Sequence, residues 1–249
     1  IAKTTDFEAQ SIIYDEITDL VGANAIVFTM LTNDDAVQEV YGKILEQPIS
    51  GKLFVDMSTI AQDVSINIAS KLKEKDASFL DAPVAGSTKP AAEGTLIMMV
   101  GGEKTDLERA RPYLEKMGKS IKHLGKNGKG IAAKLAINYF LSILYQGLAE
   151  TILFSDQLGI ERSEMLEIIN DSASGSGATK VKTPLLVEGN YSAAFALDLM
   201  LKDIRLAQQA GAAYPLLDTL LETYQKAHDS GLGQLDVIGI IESIKPSGA

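Results

Sequence analysis

The stretch that most constrains this chain is residues 128–159, GKGIAAKLAINYFLSILYQGLAETILFSDQLG. Two glycines open it, and it then runs to Gly159 with no proline. Read as one helix rising about 1.5 Å per residue, it is roughly 45 Å long, more than a small domain needs. Apolar residues cover nearly its whole circumference, so burial is expected along most of its length. The exceptions fall four apart: Lys134, Asn138, Ser142, Gln146 and Glu150. Side chains at that spacing are neighbours on a helix surface, and each step drifts by only about 40°, which makes a slowly winding polar stripe. Lys134 and Asn138 then sit one above the other in the first turns.

A lysine in such company has two readings. Its stem can lie on the core while the ammonium reaches water. Alternatively the ammonium is desolvated and its pKa falls toward neutrality. It then serves as a proton donor and acceptor, with the neighbouring amide orienting a substrate. The helix alone does not choose between them.

The chain has 249 residues, room for one large domain or two smaller ones, and its 46% apolar content is enough for a substantial core. A net charge of −10 with no basic patch argues against nucleic acid or an anionic membrane as partner. The absence of cysteine excludes disulfides, thiolate chemistry and cysteine metal sites. The two histidines, His123 and His228, are far apart in sequence, which argues against a histidine metal site or a serine–histidine triad. Both are assigned to structure, and no metal is expected. The longest uncharged run of the helix, 135–149, is fifteen residues, short for a membrane span. No signal peptide is visible, which points to the cytoplasm.

Upstream of the helix, apolar runs alternate with helical patterns. A short helix is expected over 11–21, then strands at 25–31, 52–56, 77–81, 95–100 and 120–124. Helices are expected at 35–46, 62–74 and 104–117, and a proline- and glycine-bearing loop at 83–90. Such alternation argues for an α/β, doubly wound parallel sheet. Ligands bind such sheets outside the carboxyl ends of the strands, which singles out the loops 31–35, 57–60, 82–89 and 126–130. After Gly159 only helices are expected, at 161–170, 194–211, 215–230 and 235–243, with a flexible or ligand-touching loop at 170–179. The domains are therefore placed at 1–127 and 128–249. A helix this long and apolar needs more cover than a small domain gives, so a second subunit is expected, as a homodimer or homotetramer through the long helix and the C-terminal domain.

Residues 128–133 match the dinucleotide pattern G-x-G-x-x-A, but the pattern needs a second strand within about 30 residues, ending in an acid. Here the helix continues, and Glu150 lies inside it. The match is rejected. Gly128 and Gly130 are read instead as letting the backbone approach a ligand, or as a helix cap. The first strand, glycine turn and first helix of a doubly wound sheet are expected upstream of Ile1, some 30–40 residues by the size of one βα unit. In the loop DAPVAGSTKPAAEGTL, 81–96, Pro83 and Pro90 stiffen the chain and Gly86 leaves backbone N–H groups open to an anion, unless the loop is a plain turn. Lys202, in FALDLMLKD, caps a helix, holds a phosphate, or simply faces solvent.

Together these pieces resemble the β-hydroxyacid dehydrogenase family, which includes 3-hydroxyisobutyrate dehydrogenase, 6-phosphogluconate dehydrogenase and the glyoxylate/succinic semialdehyde reductases. The resemblance runs from about Ile26 to the C-terminus. It rests on Met30-Leu31, DMST at 56–59, DAPVAGS at 81–87, GIAAKLAIN at 130–138, and Phe195 with Lys202-Asp203. It implies a partial Rossmann-type sheet lacking its glycine-fingerprint unit, then the long helix and an all-α domain. It makes Lys134 the catalytic lysine and Asn138 the substrate-binding asparagine. Ala85, Gly86 and Ser87 fall on the loop that receives the substrate carboxylate. Met30, Leu31, Ser58 and Thr59 fall on the dinucleotide site, and Phe195 and Lys202 on positions that close over the cofactor. Ala85 departs from the family's usual serine, which removes one hydroxyl contact. The implied activity is hydride transfer between NAD or NADP and a small hydroxy or aldehyde carboxylate. The loop after Ala85 leans toward NADPH-dependent reduction of glyoxylate or succinic semialdehyde. An NAD-dependent 3-hydroxyisobutyrate dehydrogenase is the alternative, and an inactive oligomerisation module the alternative from another class.

Overall fold

A computed structural model describes residues 11–245. The chain divides into two compact units, Ile1–Ala132 and Ala133–Ala249. In the first, helix α1 covers Ile17–Ala23, later than the 11–21 expected, and strand β1 covers Ile26–Thr29. They are followed by α2 (Asp34–Leu45), β2 (Leu53–Asp56), α3 (Gln62–Lys73) and β3 (Ser78–Asp81). Asn33 starts α2 by accepting a bond from the Ala36 N–H, which satisfies one of the helix's orphan donors. Strands β1, β2 and β3 form a parallel sheet in that order, and all four residues of β2 are buried. That is why 53–55 reads as an unbroken apolar run rather than an alternating one.

The loop expected at 83–90 is built differently. It holds a short strand, β4 (Val84–Ala85), and a one-turn helix, α4 (Thr88–Ala92), with Pro90 inside it. Strand β4 pairs antiparallel with β5 (Leu96–Val100), and β5 pairs parallel with β6 (Gly118–His123), after α5 (Lys104–Met117). An antiparallel bridge between Asp81 and Gly101 joins β3 to the end of β5. The parallel sheet expected from strand–helix alternation is thus extended by an antiparallel segment. The antiparallel pairing goes with the connection from β4 to β5, residues 86–95, which is shorter than the dozen or more residues that a parallel crossover takes. Leu53, Val55, Leu80, Met98, Val100, Leu107 and Leu114 make the core of this unit.

Helix α6 (Lys129–Gln157) runs 29 residues, beginning in the first unit and lying mostly in the second. By length and composition it is able to cross a bilayer, contrary to the expectation from its fifteen-residue uncharged run. Its residues Tyr145, Leu148, Ala149 and Ile152 instead enter a hydrophobic core with Leu166, Leu186, Leu201, Ile204 and Tyr224. It is not buried all round, however: Phe140 and Phe154 are more than half exposed. The second unit continues with α7 (Arg162–Asp171), α8 (Gly177–Glu188), α9 (Leu197–Gln209) and α10 (Leu217–Asp229). A 3₁₀ turn at Val237–Ile240 and α11 (Ile241–Ile244) close it, where a single helix over 235–243 was expected. Helix α8 occupies sequence that was expected to be loop or carried no assignment. Its start was legible, because Ser176 and Thr179 make reciprocal side-chain and backbone bonds, a capping box. Pro184 inside it masked the helical pattern.

Candidate active site

In the first unit the carboxyl ends of three parallel strands present Thr29, Asp56 and Asp81 in one register row. Asp56 is fully buried, and its Oδ1 accepts bonds from Thr29 Oγ1 at 2.8 Å and Ser58 Oγ at 2.6 Å. Burial raises its pKa, and those two hydroxyls act against the rise. Ser58 Oγ in turn accepts the Leu31 N–H at 2.9 Å. The Ser58 hydroxyl is therefore committed to fixing the β1 loop on the β2 loop. Leu31 is held by its backbone, while Met30 beside it is 66% exposed, a large apolar side chain standing at a strand's carboxyl end. Thr59 is half-buried at the approach to α3. A held backbone and an open apolar side chain at this edge suit the flat rings of a dinucleotide.

Asp81, also fully buried, caps the long helix. Its Oδ1 accepts from Gly128 N at 2.8 Å and its Oδ2 from Ile131 N at 3.0 Å. A carboxylate there satisfies orphan donors and meets the positive end of the helix dipole. Burial raises its pKa, and the two N–H bonds oppose the rise. Gly130 shows why the turn is glycine-rich: a Cβ there would lie 2.3 Å from Met99 O and 2.5 Å from Asp81 O. Gly128 has φ +86°. What the missing side chain at Gly130 admits is the protein's own strands, where the sequence left a ligand or a helix cap open. Ala85 lies in β4 and is half-buried. Gly86, at φ +129°, and half-buried Ser87 follow it. A Cβ on Gly86 would press on Leu96 Cδ2 at 2.8 Å and Pro90 Cβ at 2.9 Å, so this turn requires glycine twice over.

In the second unit Asn138 is 1% exposed, and its Nδ2 donates to Asp203 Oδ2 at 2.5 Å. Asp203, 2% exposed on α9, also lies with its Oδ1 2.8 Å from Lys202 Nζ. Lys134, one turn before Asn138, is half-buried. Burial lowers its pKa; the negative Asp203 raises it and the positive Lys202 lowers it, with a net fall. Asp203 therefore gathers Asn138 and Lys202 and sets the field at Lys134. In the sequence Asp203 stands beside Lys202 with no role of its own assigned. A signal was present, because Asp203 falls three residues after Met200 and four before Ala207, on the apolar face of α9. Phe195 is half-buried against the core of this unit. The histidines are structural: His123 Nε2 lies 2.8 Å from Gly102 O, and His228 Nδ1 2.7 Å from Asp198 Oδ1.

Comparison with known proteins places this geometry. Residues 1–125 match the NAD binding domain of 6-phosphogluconate dehydrogenase, reaching further upstream than the motifs from Ile26. Residues 128–244 match the NAD-binding region of NADP-dependent 3-hydroxyisobutyrate dehydrogenase. Glyoxylate/succinic semialdehyde reductase 2, chloroplastic, of Arabidopsis thaliana is 36% identical over 79% of this chain, which spans 56% of that protein's length. Mitochondrial 3-hydroxyisobutyrate dehydrogenase of Drosophila melanogaster is 31% identical, covering 94% of this chain and 76% of its own. Among solved structures, Mycobacterium tuberculosis 3-hydroxyisobutyrate dehydrogenase with L-serine superposes with a TM-score of 0.84 at 29% identity, covering 94% of this chain and 84% of that one. A parallel sheet whose strand ends hold Leu31, a capped 29-residue helix carrying Lys134 and Asn138, and matches along both units lead to one assignment: the chain belongs to the NAD(P)-dependent β-hydroxyacid dehydrogenase family.

Proposed function

We propose that the protein is an NADPH-dependent reductase of a small aldehyde carboxylate, of the glyoxylate or succinic semialdehyde class. The observation that carries the reading is Lys134, its pKa lowered by burial, one turn from an asparagine held by a buried aspartate. When bound, the nicotinamide supplies the hydride that the substrate carbon accepts. Lys134 gives its proton to the developing alkoxide oxygen, and a lowered pKa makes the ammonium a better acid for that step. Asn138 orients the same oxygen or the carboxylate; its Nδ2 is already directed by Asp203, so little rotamer freedom is lost on binding. Gly86 and Ser87 receive the carboxylate through backbone N–H groups, and Ala85 leaves the pocket without the hydroxyl that the family's usual serine supplies. Met30, Leu31 and Thr59 line the dinucleotide, with Ser58 acting through Leu31. Phe195 and Lys202 close over it.

The opposite direction, NAD-dependent oxidation of 3-hydroxyisobutyrate, is favoured by the long matches to the Drosophila and Mycobacterium enzymes. A steady-state panel of glyoxylate, succinic semialdehyde and 3-hydroxyisobutyrate with each cofactor, on the full-length protein, separates the two. Highest kcat/KM for an aldehyde acid with NADPH is expected; a preference for 3-hydroxyisobutyrate with NAD replaces the first reading by the second. Exposed Ile137, Phe140 and Phe154 lie on α6, and exposed Leu158 follows just past its end. They are read as the seam covered by a second copy in a homodimer or homotetramer.

A further inference from the structure

The second unit buries an ion pair that the proposed chemistry does not use. Lys182 of α8 is 3% exposed and Asp236 is fully buried, with Lys182 Nζ 2.7 Å from Asp236 Oδ1. The ammonium also stands 5.3 Å from the centre of the Tyr145 ring on α6. Burying two charges is expensive, and such a pair seldom stabilises a fold more than apolar residues of the same size. Its retention calls for a role in geometry.

The remaining partners of Asp236 supply one. Its Oδ2 accepts from the N–H groups of Ala194 at 3.1 Å and Phe195 at 3.3 Å, and its Oδ1 also accepts from Ile238 N at 3.1 Å. The backbone around it is stitched in the same place: Val237 N donates to Phe195 O at 2.8 Å and Leu197 N to Leu235 O at 2.9 Å. Two consecutive N–H groups converging on one carboxylate oxygen fix the peptide planes on either side of Ala194. They thereby fix the direction in which the Phe195 side chain leaves the backbone. Lys182 holds that carboxylate from α8, and the Tyr145 ring holds Lys182 from α6.

We infer that Lys182 and Asp236 are positioning residues that preset Phe195 for the dinucleotide, so that the pair sets cofactor affinity rather than the chemical step. The inference rests on the reading of Phe195 as a residue that closes over the cofactor.

The test uses the full-length protein and compares Lys182→Met, Asp236→Asn and Phe195→Ala for NADPH and NADH affinity, kcat and thermal midpoint. For Lys182→Met and Asp236→Asn, cofactor Kd and KM are expected to rise about tenfold, with kcat at saturation within about twofold of wild type. Phe195→Ala should weaken cofactor binding by a similar factor, and adding Lys182→Met to it should weaken binding no further. Unchanged affinity in Phe195→Ala overturns the reading of Phe195, whatever the pair does. Weakened binding in Phe195→Ala with unchanged affinity in folded Lys182→Met and Asp236→Asn overturns the inference alone, as does a lowered thermal midpoint with no change in cofactor KM. If those two variants do not fold, Lys182→Arg, which keeps the charge on a bulkier head, is read by the same affinity criterion.

Discussion

Replacing Gly130 by alanine is expected to destabilise the first unit by about 2–5 kcal/mol, against the usual gain from removing a helical glycine. The new Cβ would stand 2.3 Å from Met99 O, 2.5 Å from Asp81 O and 2.9 Å from Asp81 Oδ2. Two of those atoms are strand backbone, which cannot swing aside as a side-chain tip can. Overpacking of this kind costs about 1–3 kcal/mol. The backbone shift also strains the bond from Ile131 N to Asp81, and a hydrogen bond to a charged group is worth about 1.5–3 kcal/mol. Helix propensity returns roughly 1 kcal/mol. The thermal midpoint should fall by roughly 4–20 °C, at about 2–4 °C per kcal/mol for a protein of this size. Gly42→Ala, inside α2 with nothing within 4 Å of the added Cβ, is the control. It should be neutral or stabilising by up to about 1 kcal/mol. Urea and thermal unfolding followed by circular dichroism measure both. If Gly130→Ala matches Gly42→Ala, the close approach of α6 to strands β3 and β5 is wrong.

Asp203→Asn keeps an oxygen for Asn138 but removes the charge that raises the Lys134 pKa, so the limb of the kcat–pH profile that reports Lys134 should move to lower pH. An unmoved limb would show that Asp203 does not set the field at Lys134. The same substitution removes the Lys202–Asp203 ion pair and should lower stability by about 1–3 kcal/mol, less than for a fully buried pair because Lys202 is partly exposed. Lys134→Met should unfold at higher urea than wild type at pH 7. A lysine with a depressed folded pKa brings its full stability only above its unfolded pKa of about 10.4, and that contribution is lost as pH falls through the folded pKa. The advantage of the methionine variant should therefore shrink as pH rises toward 10.4, and a loss of stability at pH 7 would contradict the burial argument.

Much of the fold was legible because it rests on local patterning. The β2 run 53–55 is apolar without alternation since both its faces are covered, and α6 announces itself by length. The segment 83–90 was misread because Pro83, Gly86 and Pro90 signal a turn equally well in a loop or around a two-residue strand. The polar stripe pointed to Lys134 and Asn138, but nothing near them in sequence names Asp203, which reaches Asn138 across 65 positions. Asp81 was equally hidden as a helix cap, 47 positions before Gly128. A buried acid and a solvated one look alike in a sequence; only the fold shows which donors it meets.

Lys134 can serve as the proton donor only if burial lowers the pKa of its ammonium. Titrating that group directly, by ¹³C NMR of lysine Cε with Lys134→Met to assign its signal, tests it. A midpoint below the ordinary lysine value of about 10.4 is expected; a midpoint at or above it would contradict a pKa lowered by burial.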